Sequence, residues 1–292
     1  MDNFVSQLLQ LLFSGLMVGS IYAVVALGFT MIYSATGVVN FAQGEFLMLG
    51  GMVGVSLFSG WMPLIIACVV AVFLTALIGI IMERMMIAPL KNPTVLALII
   101  ITIGASIVLK GGAMLLFGKQ AHSLPAFSGD VPLMILGAAV FPQALWIMGI
   151  SLLLIIGIRL MLSYTMFGIA LRATADNSAA ASLVGIDIRL MVRASFGLSA
   201  ASGAIAGIII TPVTLTSWDI GMMLGIKGFS AAVLGGLGNV VGSVIGGLLL
   251  GVIETFGAGL IASGYRDAFA LLVLLLVLFL RPSGLFGTSD TR

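Results

Sequence analysis

Two carboxylates stand where a sequence this apolar has little else that is charged. Glu45 follows Asn40-Phe41-Ala42-Gln43-Gly44, and Glu254 closes a glycine-rich stretch that begins at Lys227. An ionisable group inside an apolar run is expensive and tends to mark a pathway, a relay or a buried pair. For Glu45 two roles stay open: bonding the exposed amides of an interrupted helix, or lining a route through the protein. Asn40, Gln43 and Gly44 belong to the same break, with Asn40 and Gln43 read as satisfying broken backbone rather than selecting a solute. Glu254 is read as structural, paired with a Lys or Arg near a span end, and is kept as a second candidate for the pathway region.

Other candidate chemistry falls away on inspection. GAMLLFGKQ from Gly112 looks like a phosphate loop, but five residues separate its glycines and Gln120 stands where Ser or Thr should hold magnesium. Gly197-Leu198-Ser199-Ala200 offers a serine in an apolar run, and a nucleophilic serine needs a base. The sole histidine, His122, lies in a different, polar stretch. Cys68 is the only cysteine and sits among apolar residues, which removes intrachain disulfides and Cys-based zinc sites. No catalytic residue, metal site or cofactor is expected.

The elements that must position these residues are set by composition. Only 8% of the 292 residues are charged, against about 25% in an average soluble domain. The mean hydropathy is +1.29. Charges are absent from 3 to 44, 46 to 82, 131 to 158, 194 to 218 and 228 to 253, and about 20 apolar residues suffice to cross a bilayer. The expected fold is therefore all-α: a single polytopic transmembrane helical bundle in the lipid bilayer. The expected spans are 8–32, 38–59, 63–82, 94–117, 142–162, 191–215, 222–237, 241–261 and 268–280. The seventh is glycine-rich and the ninth short, so either reads as a broken or re-entrant segment and the count is eight to nine. The first run lacks a basic start and a clear cleavage site, and is read as a retained span. Nucleic-acid binding is set aside, because the net charge is only +2 and the basic residues are scattered.

Cytoplasmic loops carry the excess of Lys and Arg. Placing 83–93, 159–193 and the C-terminal tail there gathers Arg84, Lys91, Arg159, Arg172, Arg189, Arg193, Arg281 and Arg292, against Lys110, Lys119, Lys227 and Arg266 outside. On this reading 118–141, with Pro125 and Pro132, is an external loop. Glycines four apart (Gly15 and Gly19, Gly50 and Gly54, Gly203 and Gly207, Gly238, Gly242 and Gly246) would let helices approach closely.

The longest cytoplasmic segment, about 163–190 and extending to Arg193, reads SYTMFGIALRATADNSAAASLVGIDIRLMVR. Asp176 or Asn177 can cap a short helix there, Ala179 to Ala181, Leu183 and Val184 give it a small apolar face, and Gly185 stops it. Taken alone this is an inert surface helix or something a groove on a soluble partner could grip.

The pattern Arg172-Ala173-x-Ala175-Asp176, then Ala181-Ser182-Leu183-x-Gly185-Ile186, resembles the coupling loop of ATP-binding-cassette importer permeases, in the branched-chain amino acid subgroup. GSIYAVVALGFTMIYSATGVVNFAQGEFLMLGG from Gly19 resembles the same family's most distinctive stretch, with Gln43 in place of its common His. Glu83-Arg84 with Pro89-Leu90, the block from Lys227 to Glu254 and the tail from Ser263 to Gly287 match as well. The resemblance, to the smaller H-type membrane subunit, implies a non-catalytic permease in the bacterial cytoplasmic (inner) membrane with a cytoplasmic C-terminus. It implies four partners: a second permease subunit, two cytoplasmic ATPases and an external solute-binding protein. It assigns Asp176, Asn177, Ala180, Ala181, Leu183, Val184 and Gly185 to ATPase coupling. Urea and short amides are served by similar permeases, and an ion-coupled secondary transporter is the remaining alternative, for which only Glu45 and Glu254 could handle the ion.

Overall fold

Backbone in a bilayer must close its hydrogen bonds within the protein, and these apolar runs do so as helices. The computed structural model describes residues 2–60, 62–90 and 94–287. In chain order they form α1 (Asp2–Thr36), α2 (Gln43–Gly60), α3 (Leu64–Met82) with a π-helical turn at Glu83–Ile87, and α4 (Val95–Phe117). A small hairpin, β1 (Leu133–Ile135) and β2 (Ala138–Val140), precedes α5 (Pro142–Tyr164), α6 (Met166–Asp176) and α7 (Ser178–Leu183). The chain continues with α8 (Ile188–Thr214), α9 (Ile220–Gly235), α10 (Val240–Leu260) and α11 (Arg266–Leu280). The protein is an all-α polytopic bundle. Among the described residues seven helices are long and apolar enough to cross a membrane. The second and seventh expected spans are the shorter α2 and α9, of 18 and 16 residues. Of the nine expected spans seven are matched by those seven helices, α11 counting together with the turn Ser263–Tyr265, while α2 and α9 fall below that mark.

Glycine decides how the inner helices meet. α1 lies antiparallel to α10: a Cβ on Gly15 would touch Val252, and one on Gly19 would touch Leu248, each 2.9 Å from its Cα. α2 runs alongside α8, with Gly50 against Ala204 and Gly207 against the Leu47 carbonyl, while Gly79 of α3 rests on Ala200. Close approach of this kind replaces the hydrophobic drive that lipid does not supply. Gly238 falls outside the helical stripe expected for it: it precedes α10 with φ +88°. Apolar side chains of α3, α4, α5 and α11 such as Val69, Leu115, Leu153 and Phe279 stay uncovered on the outer ring, the surface a bilayer wets.

One end of the bundle gathers the ends of α1, α3, α5 and α9 with α6, α7 and the tail. Arg193 at the start of α8 pairs with buried Glu83 at 3.1 Å. The tail folds back on α9, Leu285 N–H donating to Leu234 O and Phe286 N–H to Gly235 O, and so satisfies carbonyls at a helix end. The opposite end holds 118–141, where His122 and Thr216 exchange backbone hydrogen bonds. The hairpin turns there through Leu136 and Gly137, both at positive φ, and Ala138 and Val140 pack on Leu9 and Phe13 of α1. The charge count needs one correction. Lys110 and Lys227 lie inside α4 and α9 rather than in external loops, the first over the Trp218 ring and the second in an ion pair. Lys91 and Arg292 lie outside the described residues.

Candidate functional site

α2 begins buried rather than at a surface. After Thr36 the chain turns at Gly37 (φ +69°), and Asn40 closes the re-entry, its Oδ1 accepting from Ala42 N–H at 3.0 Å and its carbonyl from Gln43 N–H. Gln43 then lies beside Gly28 of α1 and Ser199 of α8. Gly28 is eight residues short of the end of α1, so α2 starts about 12 Å in from that end. Gln43 is fully buried, and its Oε1 accepts from the Ser199 hydroxyl while its Nε2 donates to the Ser199 carbonyl. The Ser199 hydroxyl is also within reach of Gly28 O at 2.9 Å. Asn40 and Gln43 thus do what their position in a break suggests. Ser199 is a packing serine, about 22 Å of helix from the end near His122, so the two never meet.

Glu45 sits in the first turn of α2, and α9 begins against it. Ser106 of α4 donates to Glu45 Oε1 at 2.9 Å. Glu45 Oε2 has no hydrogen-bond partner among the described residues. It faces Gly221, where a Cβ would stand 2.6 Å away, and a Cβ on Gly44 would strike the Gly221 carbonyl. Two helix N-termini therefore meet at one carboxylate. No signal in the sequence pointed to Ser106 or Gly221, since pairings across 61 and 176 positions leave no local pattern.

Glu254 is held differently. Lys227 Nζ (2.9 Å) and Arg266 Nε (2.7 Å) both reach its Oε1, and the Tyr22 hydroxyl donates to both oxygens. Lys227 also pairs with Asp267 at 2.6 Å. This network ties α1, α9, α10 and α11 at one level of the bundle. Among the described residues no group of His, Cys, Asp or Glu could hold a metal ion.

The 163–190 segment is two helices. Thr165 caps α6, accepting from Gly168 N–H, and Leu171 packs with Leu162 and Met191, which seats α6 on α5 and α8. Asn177, not Asp176, caps α7, its Oδ1 accepting from Ala180 N–H at 3.0 Å; Asp176 is the last residue of α6. Gly185 leaves the helix at φ +88°, open to a glycine without strain. The expected small apolar face of Ala179 to Ala181, Leu183 and Val184 is split: Ala181 is 3% exposed and turned into the protein, because the six-residue helix lies on α6 and α8 along that side. Leu183 (89%) and Val184 (77%) are the apolar side chains it presents outward, with Ala180 beside them.

A family profile described as the permease component of branched-chain amino acid transport systems matches residues 11–278. The chain belongs to this family. Over 97% of both chains it is 33% identical to the high-affinity branched-chain amino acid transport system permease protein BraD of Pseudomonas aeruginosa. It is 32% identical to LivH of Escherichia coli, again over 97% of both. A probable LivH of Methanocaldococcus jannaschii is 29% identical over 92% of this chain and 90% of its own. The stretch around Asn40 that resembles the family is thus the re-entry into α2, with Gln43 tying α2 to α8. The glycine-rich block from Lys227 is the α9–α10 hairpin that carries Glu254.

Proposed function

We propose that this chain is the membrane-spanning permease subunit of an ATP-driven importer. It carries branched-chain or related amino acids, delivered by an external solute-binding protein, across the bacterial inner membrane. A second permease of similar fold and two cytoplasmic ATPases complete the complex, and the chain itself performs no catalysis. The family supports the reading, and one observation gives it a mechanism: α7 holds two uncovered apolar side chains at the charged end of the bundle, beyond the ends of α5 and α8. Leucine and valine displayed to water on a rigid, capped turn favour a protein partner.

Movement imposed on α7 passes to α8, on which α6 and α7 rest, and α8 is stitched by Ser199 to Gln43 at the start of α2. A shift of α8 therefore bears on the convergence of α2 and α9 around Glu45, the broken-helix region proposed to border the path. Alternating access requires that such a junction have two arrangements that the ATPase states prefer differently.

The test is Gly185→Arg. Any L-residue at φ +88° is strained, and an arginine there stands beside Val184 where a partner would dock. The variant should insert at near-normal abundance, lose uptake and lose co-purifying ATPase. Arg189→Ala, an exposed charge, should change association by no more than about 1 kcal/mol. Full uptake with stoichiometric ATPase in Gly185→Arg would make the loop an ordinary turn and bring an ion-coupled transporter forward. Competition of leucine, valine and urea for uptake then separates the amino acid reading from the short-amide one.

A further inference from the structure

A cavity of about 660 Å³ opens at the charged end of the bundle, between the ends of α1 and α5, α6 and the start of α10. Arg159 and Arg172 line it, with Asp176 as its one carboxylate. Among the described residues the ion pairs are made by Arg193, Lys227 and Arg266, so neither guanidinium here is neutralised. Arg172 spends one donor on the Ser163 carbonyl at 3.3 Å. Val240 and Val241, the first residues of α10, also line the cavity, and the Asn239 cap goes to Gly242 N–H rather than to theirs. Two guanidiniums without a carboxylate partner and the opening turn of a helix together form an acceptor for a phosphate group.

The placement says where that phosphate comes from. Arg159 lies five residues before the end of α5, about 8 Å below it. Ile156 and Leu160 beside it are exposed on the lipid-facing ring, and Tyr164 is exposed at the helix end, the level at which aromatic residues meet headgroups. The arginines thus stand at headgroup depth with an apolar wall leading into the acyl region, and basic pockets between helices at this level suit anionic lipids.

We propose that the cavity binds the phosphate of an anionic phospholipid from the leaflet on the α6 side, its acyl chains lying along α5. The site stands apart from the transport reading: it borders the segment assigned to ATPase coupling but requires no ATPase.

The test titrates the purified complex in detergent with dioleoyl phosphatidylglycerol, dioleoyl phosphatidylcholine and inorganic phosphate, reading bound lipid by native mass spectrometry. Phosphatidylglycerol should be retained in preference to phosphatidylcholine. Arg159→Gln with Arg172→Gln should weaken its binding by roughly tenfold or more, as expected for two basic residues. Arg189→Gln, at the same end but outside the cavity, should leave binding unchanged, and Asp176→Asn should tighten it. If the glutamine pair does not assemble, Arg159→Lys combined with Arg172→Lys serves instead, with an intermediate loss as charge is kept and the bidentate fork removed. Equal retention by parent and variants overturns the site. Displacement of the lipid by millimolar inorganic phosphate overturns the lipid as its source.

Discussion

Two carboxylates are buried almost equally, Glu45 at 1% and Glu254 at 0% exposure, yet their surroundings have little in common. Glu254 receives two cations and a phenol, so its charge is compensated in place. Glu45 receives one serine hydroxyl and the ends of two helices, with one oxygen unspent. A saturated acceptor can only hold its elements together. An unsaturated one at the junction of two interrupted helices has capacity left for a donor that arrives when the junction moves. The difference favours Glu254 as part of the scaffold and keeps Glu45 as the candidate for the path.

The sharpest break between the two is charge removal at the saturated site. Glu254→Gln leaves Lys227 with Asp267 as its one remaining carboxylate and leaves Arg266, 46% exposed, to solvent, so the cost falls at the low end for a broken buried pair, about 3 kcal/mol. The variant should unfold in detergent at a clearly lower temperature and be recovered in lower yield. Adding Lys227→Met removes one stranded cation, so the double variant should recover part of the loss, a coupling that a thermal-unfolding cycle measures. Parental stability of Glu254→Gln would show that the network holds nothing.

A smaller effect is expected where α9 meets α2. In Gly221→Ala the new Cβ falls 2.6 Å from Glu45 Oε2 and 2.8 Å from the Gly44 carbonyl, and the second neighbour is backbone that cannot rotate away. Overpacking of this kind costs about 1–3 kcal/mol. Gly111→Ala in α4 meets nothing within 4 Å and should gain up to about 1 kcal/mol from helix propensity. Opposite shifts in unfolding temperature are the expected result; a neutral Gly221→Ala would mean the two helix starts do not rest on each other.

What could be read from the sequence follows from range. Charge gaps and apolar length gave the helices because each helix closes its own hydrogen bonds, and the Asn40 break was readable because its turn is made by Asn40, Ala42 and Gln43 themselves. Gly185 was readable for the same local reason. The partners of Glu254 were expected only as some Lys or Arg, and Tyr22, 232 positions away, not at all. Ala181 was misplaced because the sequence shows a helix's small residues but not which side its neighbours cover. α6 was unforeseen as a separate helix, since what seats it is Leu171 meeting Leu162 and Met191 across two other helices.

The finest test of the contrast is Glu45→Gln. The side chain keeps its shape, Ser106 can still donate to the amide oxygen, and no described cation pairs with the lost charge, so little is stranded. The new NH2 takes the place of an oxygen that had no partner. The change in stability should stay near the worth of a single hydrogen bond, within about 1 kcal/mol, far below that of Glu254→Gln. Transport should respond more, because an acceptor awaiting a donor has become a donor: losing one such contact in the moving junction corresponds to roughly fivefold in rate. Solute uptake by the normally assembled complex, alongside its unfolding temperature, measures both. A stability loss as large as that of Glu254→Gln would make Glu45 a staple like the other carboxylate. Parental uptake with parental stability would remove it from the path.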